Sequence, residues 1–214
     1  MGSDSSAPLD VGWNGIISHL RRACGEACVK RCLDIVLAGT ALLLLGLPML
    51  IIALMVKLTS PGPALYWSDR VGQRNRVFRM PKFRTMHVGT PEVATHLLNE
   101  HVRFVTPVGH FLRTTSLDEL PQFLAILHGD MSIVGPRPAL FNQADLISLR
   151  TAKGVDVLVP GLTGWAQVMG RDELPIPRKV QFDEFYLQNR STLLDLKIIL
   201  LTVRGVLSRQ GVSH

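Results

Sequence analysis

The stretch IVLAGTALLLLGLPMLIIALMV, residues 35–56, has 22 residues and no charge. At about 1.5 Å per helical residue, it is long enough to cross a hydrocarbon core of roughly 30 Å. Lys30 and Arg31 precede it and Lys57 follows, so positive charge at both ends selects no orientation. Pro48 removes a helical hydrogen bond and predicts a kink. These features favour a re-entrant hairpin, which returns to the face it entered, but leave open a spanning helix and a buried helix of a soluble domain.

Composition limits the size and the partners of the protein. The 214 residues suffice for one domain, or one and a half. The 23 Lys+Arg exceed the 17 Asp+Glu and give a net charge of +6, which suits nucleic acid, anionic lipid or phosphorylated substrates equally. Hydrophobic residues make up 47% of the chain and the mean hydropathy is +0.24. We therefore expect part of the apolar surface to meet lipid.

Two local patterns flank the apolar run. Before it, Cys24, Cys28 and Cys32 are four residues apart, which places reduced cysteines on one packed face of a helix. After it, Ser60-Pro61-Gly62-Pro63 ends the helix. The following residues predict a β-hairpin, with strands at 64–67 and 77–80 joined by a turn at 72–75. The polar residues 88–101 are expected to form a surface loop and helix.

The sequence Thr115-Ser116-Leu117-Asp118-Glu119-Leu120-Pro121 carries two adjacent acids. Ser116 and Glu119 match a capping box, so a helix is predicted to begin here. Both acids would then complement the helix dipole. A helix N-terminus also attracts phosphate, and Arg113 could neutralise a phosphate nearby. The spacing alone leaves both interpretations open.

Two later segments have distinctive chemistry. Arg137 lies between Pro136 and Pro138. The fixed φ angles of the prolines make the main chain that carries its guanidinium unusually rigid. Such an arginine suits oriented binding of a diphosphate, although an ordinary rigid loop remains an alternative. Residues 193–207 are apolar but carry three charges, so they predict an amphipathic helix that lies either on the core or in the membrane interface.

Several common functional motifs are missing from the sequence. It contains no Gly-x-x-x-x-Gly-Lys-Ser/Thr phosphate loop, no Gly-x-Gly-x-x-Gly fingerprint and no His-Glu-x-x-His pair. Nucleotide hydrolysis through a P-loop, dinucleotide oxidation and zinc proteolysis are therefore excluded. An aromatic and basic stacking platform is also missing, which argues against nucleic acid as a partner.

Many separated motifs together resemble one family. They occur in one order over about residues 30 to 205: Lys30-Arg31-x-x-Asp34, Ser60-Pro61-Gly62-Pro63, Arg70-Val71-Gly72, Lys82-Phe83-Arg84-Thr85-Met86, Leu117-Asp118-Glu119-Leu120-Pro121-Gln122, Gly129-Asp130-Met131-Ser132, Gly135-Pro136-Arg137-Pro138, Pro160-Gly161-Leu162-Thr163-Gly164-Trp165-Ala166-Gln167 and Leu194-Asp195-Leu196. In them the chain resembles the small monotopic phosphoglycosyl transferases. These bacterial sugar transferases move a sugar-1-phosphate from a nucleotide diphosphate sugar onto polyprenol phosphate.

The resemblance implies an α+β, mainly helical fold in a monotopic membrane protein at the cytoplasmic face of the bacterial inner membrane. Residues 30–58 would form a re-entrant membrane helix kinked near Pro48, preceded by a leader or surface segment at 1–29. Residues 59–207 would form the catalytic domain, with a small β-hairpin, surface amphipathic helices and an interfacial C-terminal helix. Residues 208–214 would be a tail.

The resemblance also implies a mechanism and its partners. Asp118 would attack the sugar-bearing phosphorus of a UDP-sugar and expel UMP, and polyprenol (undecaprenyl) phosphate would then take the phosphosugar from the enzyme. Glu119 would bind Mg²⁺, together with Asp118, or handle the acceptor's proton. The matched cations expected around phosphates are Arg113, Arg137 and Arg171, with Lys82 and Arg84 as further candidates.

Three positions depart from the family pattern. Asn75 occupies a turn position that is often glycine, Met169 stands where asparagine is usual, and Val159 replaces a frequent arginine. The transferred sugar, the glycan pathway and the oligomeric state stay open, and downstream glycosyltransferases are possible partners. Two alternative hypotheses for the protein are a catalytically idle membrane scaffold and a basic module that binds a membrane surface or nucleic acid.

Overall fold

The computed structural model describes residues 13–90, 104–170 and 174–207, with the main chain alone for 13–24 and for 207. The fold is mainly helical α+β, as predicted. The helices are α1 (Trp13–Thr59), α2 (Pro107–Thr114), α3 (Gln122–His128), α4 (Ala144–Ala152), α5 (Trp165–Gly170), α6 (Ile176–Asn189) and α7 (Thr192–Leu207). The strands are β1 (Leu65–Val71), β2 (Val77–Phe83), β3 (Ser132–Val134), β4 (Ala139–Leu140) and β5 (Gly161–Thr163).

The long N-terminal helix α1 contains the whole apolar run. An 18-residue window within its segment Gly25–Thr59 has a mean hydropathy of 2.6, and this is the one helix among the described residues that is long and apolar enough to cross a membrane. The helix continues through Pro48, so the kink expected there stays a prediction. Cys28 and Cys32 are free thiols on this helix. Their helical position is confirmed, but both are exposed rather than packed, and the side chain of Cys24 lies outside the described residues.

Polar residues just before the apolar run fasten α1 to the rest of the protein. Arg31 donates to the carbonyl oxygen of Ile126 over 2.6 Å, which satisfies a carbonyl that the last turn of α3 leaves unpaired. Asp34 accepts the main-chain N–H of Ile133 in β3 over 2.9 Å. Lys30 forms a 2.6 Å ion pair with a carboxylate of α7. Three different elements therefore hold this end of the helix.

The other end of the apolar run packs on the same body of the protein. Ile52 and Val56 are buried against Phe83 of β2 and Leu112 of α2 in one hydrophobic cluster. The main core forms a second cluster, in which Ala38 of α1 packs with residues of β2 and β3 and of α3, α6 and α7. The two ends of the run are thus both attached to the domain that follows it.

Two small sheets position the loops between the helices. Strands β1 and β2 pair antiparallel, with Tyr66 opposite Lys82, which confirms the predicted hairpin. The sequence did not predict that β4 would pair with the outer edge of β1 or that β3 and β5 would pair in parallel. The loop 135–138 joins these two sheets, because it runs from β3 to β4.

The capping box predicted at Ser116 is wrong. Ser116 has a φ of 57° and makes no side-chain cap, a left-handed conformation that few residues other than glycine adopt. It is followed by a single 3₁₀ turn, Leu117–Glu119, and the α-helix begins only at Gln122. Asp118 and Glu119 therefore lie in a tight turn between α2 and α3.

The C-terminal helix α7 has two apolar faces. Ile198 is fully buried in the main core, whereas Leu193 and Leu200 are 78% and 70% exposed. The predicted helix is confirmed, and one face packs on the core; contact of the exposed face with the membrane interface stays a prediction. Most of the loop and helix predicted at 88–101, and the tail at 208–214, lie outside the described residues.

Candidate active site

The two adjacent acids of the 3₁₀ turn meet cations from two other elements. Lys82, near the end of β2, places its Nζ 2.7 Å from Oε1 of Glu119 and 3.9 Å from Oδ2 of Asp118. Arg137 donates from Nη2 to the same Oε1 of Glu119 over 2.8 Å. Asp118 is only 8% exposed. The fold therefore brings together four of the residues that the sequence predicted as a site.

Burial and charge act differently on the two acids. Burial raises the pKa of Asp118, and the nearby charge of Lys82 only partly offsets this effect. Burial alone would also raise the pKa of Glu119, but Arg137 and Lys82 together hold it well below its usual range. Glu119 is thus ionised at neutral pH and serves as the shared counter-ion of two cations. Asp118 is the less stabilised carboxylate of the pair.

Arg113 lies beside this group on α2. Its Nε donates to Oγ1 of Thr85 over 3.0 Å. Burial lowers the pKa of Arg113, and the charge of Asp118 raises it again, so the two groups are close enough to interact. Because a guanidinium stays protonated in proteins, Arg113 adds a third positive charge around the dyad.

Arg84 has a different environment. Its guanidinium donates to the carbonyl oxygens of Pro63, Pro61 and Ser60 over 2.7, 2.5 and 2.9 Å, and the residue is buried. These bonds fix the turn that follows α1, which favours a structural role. Contact of Arg84 with substrate stays a prediction. Arg171 lies outside the described residues, and its predicted role is likewise a prediction.

One buried ion pair next to the site was missed by the sequence reasoning. Arg150 of α4 donates from Nε and Nη2 to Oδ2 of Asp183 of α6, over 3.0 and 2.7 Å. A third donor, Nη1, reaches the carbonyl oxygen of Arg137 over 2.8 Å. The two charged residues are 33 positions apart in sequence, and no local pattern signals that they meet.

The acids of the turn are the candidate ligands for magnesium. Among the described residues there is no group of three or more His, Cys, Asp or Glu side chains that could hold a metal ion. Magnesium, however, is usually bound through one or two carboxylates, with water and substrate phosphates completing its shell. Two adjacent carboxylates with Lys82 and Arg137 beside them fit that kind of site.

The described part of the chain thus combines one long apolar helix with an acid pair that Lys82 and Arg137 contact. The chain belongs to the bacterial sugar transferase family, whose model matches residues 25–209. It is therefore a transferase of the bacterial phosphoglycosyl transferase type.

Proteins of known sequence are similar over most of this chain. Sugar transferase EpsL of Bacillus subtilis, described as uncharacterized, is 38% identical over 87% of this chain and 91% of its own length. UDP-glucose:undecaprenyl-phosphate glucose-1-phosphate transferase of Escherichia coli is 42% identical over 82% of this chain and 39% of its own. The UDP-N-acetylgalactosamine-undecaprenyl-phosphate N-acetylgalactosaminephosphotransferase of Aeromonas hydrophila is 36% identical over 86% and 45%, respectively. The chain thus spans under half of the latter two proteins.

Proposed function

We propose that this protein transfers a sugar-1-phosphate from a UDP-sugar to undecaprenyl phosphate, through a phosphosugar bonded to Asp118. The products are polyprenyl diphosphosugar and UMP. This reaction would be the first membrane step in the synthesis of a bacterial glycoconjugate, at the cytoplasmic face of the inner membrane. The names of the relatives from Escherichia coli and Aeromonas hydrophila support the donor and acceptor classes. Their different sugars leave the sugar of this chain open.

The observation that carries the proposal is the unequal environment of the two acids. Glu119 accepts from both Lys82 and Arg137 at under 3 Å, so its charge is committed to holding these cations. Asp118 has its nearest described cation at 3.9 Å. A nucleophile needs an oxygen that can approach phosphorus, and a carboxylate without a short ion pair meets this need better.

The first displacement needs no proton donor, because the leaving group is the phosphate of UMP. An oxygen of Asp118 bonds to the sugar-bearing phosphorus, and the bond from that phosphorus to the bridging oxygen breaks. The electron pair leaves on UMP. An oxygen of the acceptor's phosphate then attacks the same phosphorus, and the bond to Asp118 breaks, which restores the carboxylate. Arg137, Lys82 and Arg113 would hold the phosphate oxygens during both displacements.

Magnesium belongs to the proposal as the cofactor. Asp118 and Glu119 would hold it through carboxylate oxygens, and it would offset the negative charge of the diphosphate. The role of the protein is then to keep Glu119 ionised and to orient the cations. The alternative role of Glu119, accepting a proton from the acceptor phosphate, is not part of this proposal, because its lowered pKa makes it a weak base.

The experiment that tests this function looks for the covalent intermediate. The purified protein is incubated with magnesium and UDP-sugars labelled in the sugar, without lipid, and then separated under denaturing conditions. We expect label on the protein, its release by hydroxylamine as for an acyl phosphate, and its transfer to undecaprenyl phosphate in a chase. Asp118→Asn should carry no label. Product formation on adding lipid without labelled protein would refute the intermediate, and no product with any donor would favour the idle scaffold.

The proposal includes a re-entrant arrangement of α1. A spanning run of 22 residues would separate its ends by about 33 Å, yet Asp34 and Val56 both contact the same domain. Between them, a side chain added at Gly39 or Gly46 would meet open space, and Leu43 is 84% exposed. Fastened ends and an exposed apolar middle support a helix that dips into one leaflet.

Thiol labelling in sealed membrane vesicles tests this topology. One variant keeps Cys28 alone and the other has Arg74→Cys alone, with the remaining cysteines changed to serine. Because both positions are exposed, an impermeant reagent can report the side of the membrane on which each lies. The re-entrant arrangement predicts labelling from the same side. Labelling from opposite sides would restore the spanning helix.

A further inference from the structure

Within the loop 135–138, the segment 136–138 that carries Arg137 is held through its carbonyl oxygens. Pro136 and Pro138 have no amide hydrogen and cannot donate to the surrounding structure. Instead, the carbonyl of Pro136 accepts from the N–H of Gly161 over 2.9 Å, and that of Arg137 accepts from Arg150 over 2.8 Å. The orientation of Arg137 therefore depends on groups that lie outside its own loop.

Two side chains donate to these carbonyl oxygens: Arg70 reaches that of Pro138 over 3.4 Å, and Arg150 reaches that of Arg137 at the shorter distance. Arg150 is itself held by a buried carboxylate. It is 8% exposed and Asp183 is 2% exposed, and one carboxylate oxygen of Asp183 accepts two of its donors. A buried ion pair adds little net stability compared with apolar residues of similar size. Packing α4 against α6 does not by itself require such a pair. Its third donor, on the main chain of Arg137, points to a different use.

We infer that Arg150 and Asp183 are positioning residues for Arg137. The contacts run from the carboxylate of Asp183 to Arg150, from Arg150 to the carbonyl of Arg137, and from the Arg137 guanidinium to Glu119. The pair fixes the position of the Arg137 main chain, and the flanking prolines restrict the backbone angles around it. Together they limit the directions in which the Arg137 side chain can point. This inference rests on the proposed function, in which Arg137 receives the diphosphate of the donor.

The test is a double-mutant cycle on binding of UDP, which has the diphosphate but no sugar to transfer. Binding is measured by calorimetry with the full chain in lipid nanodiscs and magnesium. Arg150→Lys keeps the charge but lacks the planar guanidinium, whose separate N–H donors reach both Asp183 and the Arg137 carbonyl. If Arg150 acts through Arg137, Arg150→Lys and Arg137→Ala should each weaken binding about tenfold, and the double variant should be no weaker than Arg137→Ala alone.

The chain offers a matched control in the same pair of helices. Lys153, just after α4, forms an exposed 3.3 Å ion pair with Glu184 of α6. Lys153→Ala removes a link between these helices without touching the Arg137 loop. We expect its UDP affinity to equal that of the wild type. A loss equal to that of Arg150→Lys would show that helix packing, and not positioning, is responsible.

Two further outcomes decide the inference. Effects of Arg150→Lys and Arg137→Ala that multiply would overturn it, because residues that act through one another are not independent. If Arg150→Lys does not fold, Asp183→Asn takes its place in the cycle, and failure of both to fold would show that the pair serves stability instead. A wild type that binds UDP but never forms a phosphosugar on the protein would refute the proposed function and leave this cycle intact.

Discussion

Replacing Asp34 by alanine should loosen the attachment of α1 to the catalytic domain. The carboxylate is 5% exposed and accepts the N–H of Ile133, which is 9% exposed, over 2.9 Å. Hydrogen bonds to charged groups contribute about 1.5–3 kcal/mol, and a buried donor left without a partner costs about 1–3 kcal/mol. We expect Asp34→Ala to lower the free energy of unfolding by about 3 kcal/mol, near the upper end of both ranges, because donor and acceptor are both buried.

The expected loss translates into a measurable shift in Tm. For a chain of this size, about 1 kcal/mol corresponds to about 2–4 °C, so Asp34→Ala should melt about 6–12 °C below the wild type. Asp34→Asn keeps an acceptor oxygen of the same shape and should lose about 1 kcal/mol or less. Glu26→Ala, which removes an exposed acid from the same helix, should stay within about 0.5 kcal/mol. Near-UV circular dichroism melts in detergent micelles give all four values.

Two results would refute this reasoning. If Asp34→Ala melts within about 2 °C of the wild type, the bond to Ile133 does not hold α1 on the domain. If Asp34→Asn is as damaging as Asp34→Ala, the negative charge matters and the hydrogen bond does not. The ion pair of Lys30 with α7 would then be the more important attachment.

The remaining predictions concern the acid pair. Lys82→Met keeps the aliphatic stem but removes the charge that lowers the pKa of Asp118. The pH below which a UDP-sugar labels the protein more slowly should therefore rise. An unchanged pH dependence of labelling would contradict the role of Asp118 as nucleophile. Because burial raises the pKa of Asp118, the folded state binds more protons than the unfolded state above about pH 4, and this contribution to stability falls as pH rises. The Tm of Asp118→Asn relative to the wild type should therefore increase from about pH 4 to about pH 7, and melts that run parallel would oppose this. Removal of divalent cations with EDTA should abolish labelling, and magnesium should restore it where sodium does not; labelling that survives EDTA would exclude the proposed cofactor.

Local signals predicted the hairpin but not the smaller strands. The breaker residues after α1 and the turn at 72–75 located the hairpin, because a hairpin forms between neighbours in sequence. The predicted strands at 64–67 and 77–80 stop short, however, since β1 and β2 extend to Val71 and Phe83. Strands β3 and β5 have three residues each and are brought together across a long connection. Their close approach depends on Gly135 and Gly161, since a side chain at either position would collide with the backbone of the other segment. These two glycines were the available signal.

Backbone conformation explains why the predicted capping box at Ser116 is wrong and why Asn75 fits its turn. The pattern at Ser116 matched a capping box, but sequence alone cannot show that its φ is positive, which prevents the serine from capping the turn. Asn75, by contrast, stands at a turn position where glycine is common in the family. Its φ is 58°, a region that asparagine tolerates, and its Nδ2 donates to Oγ1 of Thr151 over 2.9 Å.

The site was predictable only in part from its residues. Spacing left both interpretations of Asp118 and Glu119 open, and the family resemblance supplied their roles. Lys82 and Arg84 looked equivalent in sequence, yet β2 ends at Phe83, and the chain then turns Arg84 toward the segment after α1. Arg150 could not be found at all, because a charged residue in a helix usually faces water.

The 3₁₀ turn gives the adjacent acids different tasks. Successive residues of a 3₁₀ helix point about 120° apart, because it has three residues per turn, so Glu119 reaches Lys82 and Arg137 while Asp118 does not share those bonds. Before substrate binds, Glu119 therefore neutralises the cations that the diphosphate would meet. An incoming diphosphate competes with Glu119 for the same donors and need not order them anew. In the proposed reaction, Glu119 pre-organises the phosphate site. Its low pKa results from the two cations that it holds, whereas the raised pKa of Asp118 results from burial.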